Sequence, residues 1–159
     1  MNLTRRVLIT ILATVMISNV LTVVQPTAAQ SENSNCKQVK GDLVVNFGPG
    51  TASGVLTNGS ILNGTFESVF APGSVVPTAD PTSITFTGDS SITTNKGVVV
   101  THDVYLIDFV LTLGPGMLRI DPASSSGEFA GATGLIYLNP KVEGPFGHAE
   151  LTGQICINR

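Results

Sequence analysis

The chain has 159 residues, of which 42% are hydrophobic and 12% are charged, and its formal net charge is −3. Once a leader is set aside, this length suffices for one domain but not for two. The basic residues are few and scattered, which argues against binding to nucleic acid or to an anionic membrane, because both need a basic patch.

Residues 1–29 are predicted to be a signal peptide. Arg5 and Arg6 precede a mostly apolar run from Val7 to Val24, and small residues then provide a cleavage site after Ala29. An uncleaved anchor is the alternative, since this run is just long enough to cross a bilayer. Removal of the leader leaves six basic and eleven acidic residues, a net charge of about −5. We therefore expect a secreted protein, extracellular or periplasmic.

Residues 30–35 are expected to be a disordered lead-in, and residues 36–159 to form one domain. There, segments rich in Val, Ile, Thr and Phe alternate with loops of Gly, Pro, Ser and Asn, which is typical of all-β proteins. No helix is predicted after the leader. Asn58-Gly59 predicts a hairpin turn. The predicted strands, in chain order, are 43–47, 52–56, 61–70, 82–87, 91–94, 98–113, 117–121, 132–138 and 146–157.

The fold class predicted from this pattern is a single antiparallel β-barrel of about eight strands. Closing the sheet removes the unpaired edges that a chain with so few charges would otherwise expose. A two-sheet sandwich is the alternative. Cys36 and Cys156 lie near the two ends of the domain, and export predicts a disulfide between them. A reactive or metal-binding thiol is the other reading of these cysteines.

Residues 127–134 read Gly-Glu-Phe-Ala-Gly-Ala-Thr-Gly and run straight into an apolar strand. This segment resembles the G-x-F-A/E-G-A-T-G signature of the allene oxide cyclase and dirigent-like barrel proteins. Residues 86–89, 93–97 and 151–155 resemble strands and turns of small secreted members of that group. The resemblance implies a calycin-like eight-stranded antiparallel barrel, often trimeric, with a small apolar cavity. Family members cyclise an epoxide or guide the coupling of phenoxy radicals, without a cofactor. The structural residues of the motif are Gly127, Phe129, Gly131 and Gly134.

The candidate catalytic residues are His102, Asp103 and Glu67. The first two interrupt the longest apolar run, as either an acid/base pair at a cavity mouth or a bend that faces solvent. Glu67 has the parity opposite to its aromatic neighbours, so it lines a cavity only if the interior is the polar side. The candidate ligand-binding residues are Tyr105, Tyr137 and Arg119, each with a surface position as the alternative. No metal site or cofactor is predicted, because ligand spacings, phosphate-binding loops and a serine-hydrolase elbow are missing from the sequence.

Three functions stay open at this point. The barrel could bind a small hydrophobic molecule, act as a cofactor-free cyclase or isomerase, or serve as a structural or surface-interaction module with a filled interior. A cavity of several hundred Å³ fits a ligand, and catalysis needs an inward carboxylate, His or Tyr. Asn58 and Asn63 match glycosylation acceptor sequences, which matter only in a host that glycosylates.

The segment from Val98 to Leu113 predicts a homo-oligomer, because it is apolar on both faces and a barrel wall covers only one of them. The outer face then needs another subunit or a covering loop. We expect light scattering to give a mass above that of one chain, with a trimer as the state that the resemblance implies. A monomeric mass would contradict this prediction.

Overall fold

The computed structural model describes residues 34–110, 114–143 and 146–158. The predicted signal peptide, its cleavage site and residues 30–33 lie outside these ranges. Across the described ranges, no helix is long and apolar enough to cross a membrane. A single 3₁₀ turn covers Gly127–Phe129. The strands are β1 (Ser34–Gly48), β2 (Thr51–Thr57), β3 (Gly64–Phe70), β4 (Val76–Pro77), β5 (Ser83–Thr94), β6 (Gly97–Asp108), β7 (Gly116–Ile120), β8 (Thr133–Glu143) and β9 (Phe146–Asn158).

Eight of these strands close into an antiparallel barrel. The neighbours follow one another as β1, β2, β3, β5, β6, β7, β8 and β9, and β9 pairs again with β1. The two-residue strand β4 pairs only with Thr85 and Ile84 at the start of β5, so it lies outside the closed wall. The predicted all-β, single antiparallel barrel of about eight strands is confirmed, and the two-layer sandwich is excluded.

Alternate residues of each strand point into the barrel and form its core. In β1, Val39, Gly41, Leu43 and Val45 are buried, while Lys40, Asp42 and Val44 between them are exposed. One end of the barrel is closed by Leu62 and Phe129, which are almost fully buried. We call this the closed end, and the opposite end, where β6 leads to β7 and β8 leads to β9, the open end.

The loop between β2 and β3 departs from the prediction. Asn58-Gly59 does not form a two-residue hairpin turn, because residues 58–63 are all loop and β3 begins only at Gly64. The Asn63 side chain holds this loop together: its Oδ1 accepts from the Gly59 N–H at 2.7 Å, and its amide donates to the Gly59 carbonyl at 2.9 Å. The longer loop carries Leu62 into the core, and this burial outweighs the local turn preference.

Several strand boundaries also differ from the prediction, including the start of β1, predicted at 43, and the end of β8, predicted at 138. Ser34 and Asn35 belong to β1, so the lead-in ends before them. The segments 82–87 and 91–94 are parts of one strand, because Gly88 continues the pairing to both neighbouring strands. The apolar run from 98 ends as a strand at Asp108, whose Oδ1 accepts from the Val110 N–H at 2.8 Å and turns the chain.

Two glycines of the 127–134 segment stand where a side chain does not fit. Gly127 has φ of +66°, and a Cβ there would lie 2.4 Å from the Lys96 carbonyl oxygen. Gly134 has φ of +149°, and its Cβ would lie 2.1 Å from the carbonyl oxygen of Gln154 on β9. Residues other than glycine are strained in this region of φ. The segment thus lets the closing loop and β8 approach their neighbours closely.

The predicted disulfide is confirmed: Cys36 and Cys156 are bonded, and they occupy paired positions on β1 and β9. The bond closes a loop with a sequence separation of 120 residues. We expect replacement of both cysteines by serine to lower the free energy of unfolding by about 4–5 kcal/mol through loop entropy. Urea unfolding of the variant and the oxidised protein measures this, with Lys37→Ser as a neighbouring control. A loss below about 1 kcal/mol would show that the β1–β9 hydrogen bonds hold the closure alone.

Candidate functional site

An apolar cavity enters the barrel from the open end. Its volume is about 40 Å³, which is room for about three waters. Side chains therefore fill most of the interior. The cavity is far smaller than the several hundred Å³ expected of a site that encloses a whole ligand, so it can take only one end of a small molecule. Small residues such as Ala52 and Ala149 leave this space. Four of the seven phenylalanines and one of the two tyrosines line it: Phe47, Phe66, Phe70, Phe86 and Tyr105.

Three of these rings pack against one another. Phe86 and Tyr105 are paired across β5 and β6, and their ring centroids are 5.0 Å apart. Phe70 meets them edge-on at 4.8 and 6.0 Å respectively. Gly116 lies opposite Tyr105 on β7, where a Cβ would come within 2.8 Å of the tyrosine ring. The absence of a side chain at Gly116 thus makes room for the ring that forms the cavity wall.

Deeper in the barrel, polar side chains take the inward positions. Ser68, Ser90 and Thr101 lie side by side on three neighbouring strands, because Ser90 pairs with both of the others. Asp103 follows Thr101 on the inward face of β6, and its Oδ2 accepts hydrogen bonds from the Tyr105 hydroxyl at 2.8 Å and from the Ser90 hydroxyl. All four side chains are buried. We call Ser68, Ser90, Thr101 and Asp103 the polar layer.

Part of the polar layer has unused hydrogen-bonding capacity. Within the described ranges, Ser68 Oγ, Thr101 Oγ1 and Asp103 Oδ1 make no hydrogen bond of good geometry. The Thr101 hydroxyl is nevertheless close enough to Asp103, and the Ser68 hydroxyl close enough to Tyr105, to lower the pKa of each. A buried polar atom without a partner costs about 1–3 kcal/mol. A barrel that served only to pack its interior would carry apolar side chains at these positions. The arrangement can instead hydrogen-bond a polar group that enters past the aromatic rings.

The surroundings of Asp103 and Tyr105 raise the pKa of both groups. Burial raises the pKa of Asp103; the nearby hydroxyls of Ser90, Thr101 and Tyr105 oppose this shift without cancelling it, and the charge of Asp89 adds to it. Burial also raises the pKa of Tyr105, and the neighbouring Asp103 charge raises it further. A carboxyl group that favours its protonated form can donate a proton as well as a hydrogen bond.

His102 and Asp103, predicted as a pair, lie on opposite faces of β6. His102 is exposed on the outer surface, with Nδ1 2.7 Å from Asp89 Oδ1 and Nε2 3.7 Å from Asp121 Oδ2. Asp103 faces the interior. The strand has no bend here, so the solvent-facing interpretation is wrong for Asp103 and the cavity interpretation is wrong for His102.

The remaining candidates divide in the same way. Tyr105 lines the cavity. Glu67, Arg119 and Tyr137 are exposed on the outer surface, so they do not line the interior cavity. Arg119 and Tyr137 line an open groove on that surface, and their role in ligand binding stays a prediction. Each lies between two inward-facing neighbours of its strand, so alternation places it outside. No group of three His, Cys, Asp or Glu side chains in the described part of the chain could hold a metal ion.

The sequence prediction missed Ser68, Ser90 and Thr101. The signal was present in the alternation itself: Ser90 has the parity of Phe86 and Ile92, and Thr101 has the parity of Val99. A hydroxyl at an otherwise apolar position of a predicted strand indicates an interior polar group.

No protein-family model and no curated protein matches the chain. Among solved structures, the chain is similar to the pterocarpan synthase dirigent protein GePTS1, with 11% sequence identity and a TM-score of 0.36, over 89% of this chain and 100% of that chain. We transfer neither residues nor activity from this neighbour.

The raised pKa of Asp103 predicts a loss of stability with rising pH. Above the ordinary value of 3.8, the folded protein keeps a proton that the unfolded chain releases, so stability falls as the pH rises through the folded pKa. We therefore expect Asp103→Asn to gain stability relative to the unchanged protein between pH 4 and pH 7, measured by urea unfolding. Asn keeps the acceptor for Tyr105.

Asp80→Asn is the matched control, because we expect it to lower stability where Asp103→Asn raises it. The backbone N–H and the hydroxyl of Thr82 donate to Asp80 and lower its pKa. Removing this carboxylate should cost stability as the pH rises through the lowered folded pKa. A stability difference for Asp103→Asn that does not change with pH would contradict the assignment.

Proposed function

We propose that the barrel binds one end of a small hydrophobic molecule in the cavity at its open end. The observation that carries this proposal is the position of the cavity: it is lined by aromatic rings, and one of them, Tyr105, hydrogen-bonds through its hydroxyl to Asp103 of the buried polar layer. His148 and Tyr105 are the titratable side chains among the described lining residues, and none of these residues is Lys, Arg, Asp or Glu, which favours an uncharged ligand. The volume of about 40 Å³ favours a short chain or a methyl group as the part that enters, and a whole ring enters only if the lining side chains move apart, since a cavity that holds benzene has about 150 Å³.

A hydrogen-bonding group on the ligand would complete the site. The Tyr105 hydroxyl already bonds to Asp103 Oδ2, and Asp103 Oδ1 makes no hydrogen bond of good geometry in the described structure. An uncharged ligand that carries a hydroxyl or carbonyl group at its buried end could reach this layer if the Tyr105 ring moves. Buried polar groups that gain a partner recover the cost of their desolvation.

A cofactor-free cyclase or isomerase is the second candidate, and the interior acid favours it. Asp103 is a carboxyl group with a raised pKa at the end of an apolar cavity, and such a group can act as a general acid or base. The remainder of the rate enhancement would come from holding the substrate in a reactive shape. The same cavity serves binding and catalysis, so the first candidate does not exclude the second.

We also place the protein outside the cytoplasm, in the extracellular space or the periplasm. The predicted signal peptide and the Cys36–Cys156 disulfide support this location, because disulfides persist in oxidising compartments.

Filling the cavity should abolish binding. Ala52 lines the cavity on β2, and Val55 of the same strand is exposed on the outer surface. We expect 4-methylphenol to shift amide resonances around the cavity in the unchanged protein and in Val55→Phe. Ala52→Phe should weaken that binding by about tenfold or more, since its ring occupies the space, at a stability cost of about 1–3 kcal/mol. Two-dimensional NMR titration measures binding, and thermal unfolding verifies the fold.

The outcomes separate the candidate functions. If 4-methylphenol and toluene both leave the spectrum unchanged, the barrel is a filled structural module and the binding proposal fails. Native mass spectrometry of protein purified from its own source then identifies any retained molecule. A molecule that the unchanged protein converts, and Asp103→Asn binds but leaves intact, would establish the cyclase or isomerase.

A further inference from the structure

An open groove lies on the outer wall of the barrel, beside the point where β7 and β8 separate. The pairing of these two strands ends at Arg119↔Leu135, although β8 stays paired to β9 as far as Thr133. The groove has a volume of about 590 Å³, which lies in the range of about 300–1,000 Å³ that small-molecule sites occupy. We call it the wall groove, and its exposed side chains are Arg119, Thr133, Leu135, Tyr137 and Gln154.

The strand register sets the order of these side chains. Leu135 pairs with Arg119 of β7 on one side and with Gln154 of β9 on the other, so the three residues form a row across the wall. Tyr137 stands two residues further along β8, on the same outer face as Leu135, and it is 47% exposed. The groove therefore presents an apolar surface, formed by Leu135 and the Tyr137 ring, between two side chains that donate hydrogen bonds.

Arg119 brings a positive charge to the groove that no described side chain neutralises. Its partner in the β6–β7 register, His102, faces the carboxylates of Asp89 and Asp121. Within the described ranges, Arg119 itself takes part in no ion pair. A guanidinium stays charged in proteins, and its planar fork binds a carboxylate through two parallel hydrogen bonds. The charge thus favours an anionic group at the β7 side of the groove.

We propose that the wall groove binds a small organic acid, with its carboxylate on Arg119 and its apolar body along Leu135 and the Tyr137 ring. Adjacent strands lie about 4.8 Å apart and two residues along a strand span about 6.7 Å, so the diagonal from Arg119 to Tyr137 is about 8 Å. A single ring that carries a carboxylate, such as 4-methylbenzoate, matches this span. The Gln154 amide borders the apolar body and can hydrogen-bond a polar substituent on it.

Other ligand classes match the wall groove less well. Inorganic phosphate or sulfate would use the charge of Arg119 but would leave the apolar surface of Leu135 and Tyr137 in water. Nucleic acid needs several basic groups along its backbone, and the described side chains of the groove include one. An uncharged apolar molecule would leave the guanidinium unmatched, and specificity depends on such electrostatic complementarity.

The wall groove is separate from the interior cavity and does not depend on it. Arg119 and Tyr137 share a ligand on the outer face, whereas Tyr105 lines the cavity on the inner face. The barrel wall lies between the two sites, because alternate residues of a strand face opposite sides. The cavity favours an uncharged ligand and the groove an anionic one, so the two sites can be tested apart.

Two-dimensional NMR titration of the mature protein at neutral pH tests the site. The probes are 4-methylbenzoate and 4-methylphenol, which share a methylated ring and differ in charge. We expect 4-methylbenzoate to shift the amide resonances of Leu135, Tyr137 and Gln154, and 4-methylphenol to leave these resonances unchanged. Added salt should weaken the binding of 4-methylbenzoate, because the groove is open to solvent and its charge is screened.

Three variants assign the binding to the guanidinium. Arg119→Gln should weaken 4-methylbenzoate binding by about tenfold or more, because its charge-assisted hydrogen bonds are lost. Arg119→Lys should weaken it by less, since the charge stays and only the planar fork is lost. Lys96→Gln is the matched control, because it removes an exposed positive charge from the turn between β5 and β6, outside the groove, and should leave binding unchanged.

Several results would overturn the proposal: no shifts at the groove, equal binding by Arg119→Gln, equal shifts with 4-methylphenol, or the same shifts with sulfate, which would indicate an unspecific anion site. Light scattering adds another, because a lower mass for Arg119→Gln would show that a second copy covers the groove. Circular dichroism and thermal unfolding confirm that each variant is folded. Ala52→Phe should still bind 4-methylbenzoate and Arg119→Gln should still bind 4-methylphenol in the cavity, so a failure here differs from a failure of the proposed function.

Discussion

The pairing of β1 with β9 is the constraint on which the rest of the barrel depends. Thirteen residue pairs, from Ser34↔Asn158 to Asn46↔Phe146, join the two ends of the chain and complete the wall. A slip of one residue would turn every side chain of a strand to the opposite face. The Cys36–Cys156 bond is compatible with this register because the two residues are paired in it. The interior cavity and the outer surface both follow from this closure.

Two of the inward-facing side chains of β6 are polar, although apolar side chains would stabilise the interior more. Val99, Tyr105 and Ile107 pack into the interior, yet Thr101 and Asp103 occupy the positions between them. Removing a carboxyl group from water costs several kcal/mol if it is ionised, while hydrogen bonds to a charged group return about 1.5–3 kcal/mol each. The raised pKa of Asp103 is the consequence of this balance. An apolar residue would pack at lower cost, which supports a role for this acid beyond stability.

The sequence was sufficient for features that depend on local pattern and compartment. The alternation of strand-forming and loop-forming segments predicted the strands, the low charge content and the resemblance of residues 127–134 predicted closure, and expected export predicted the disulfide. It did not predict features set by distant partners. Asn58-Gly59 does not form the predicted turn, because the longer loop buries Leu62. The continuity of β5 through Gly88 depends on its pairing to β3 and β6. Adjacent residues of a strand face opposite sides of the sheet. The sequence alone could therefore have predicted that His102 and Asp103 do not act as a pair.

The first and last residues of the barrel, Ser34 and Asn158, are paired with each other on the side of the closed end. The fifteen-residue strand β1 spans roughly 45 Å if extended, and its far end reaches the mouth of the cavity. Any polypeptide joined at either terminus, whether a fusion partner, an affinity tag or a tether to a solid support, is attached at the base of the cylinder. The protein can thus be immobilised or displayed by either terminus with its entrance pointing away from the attachment.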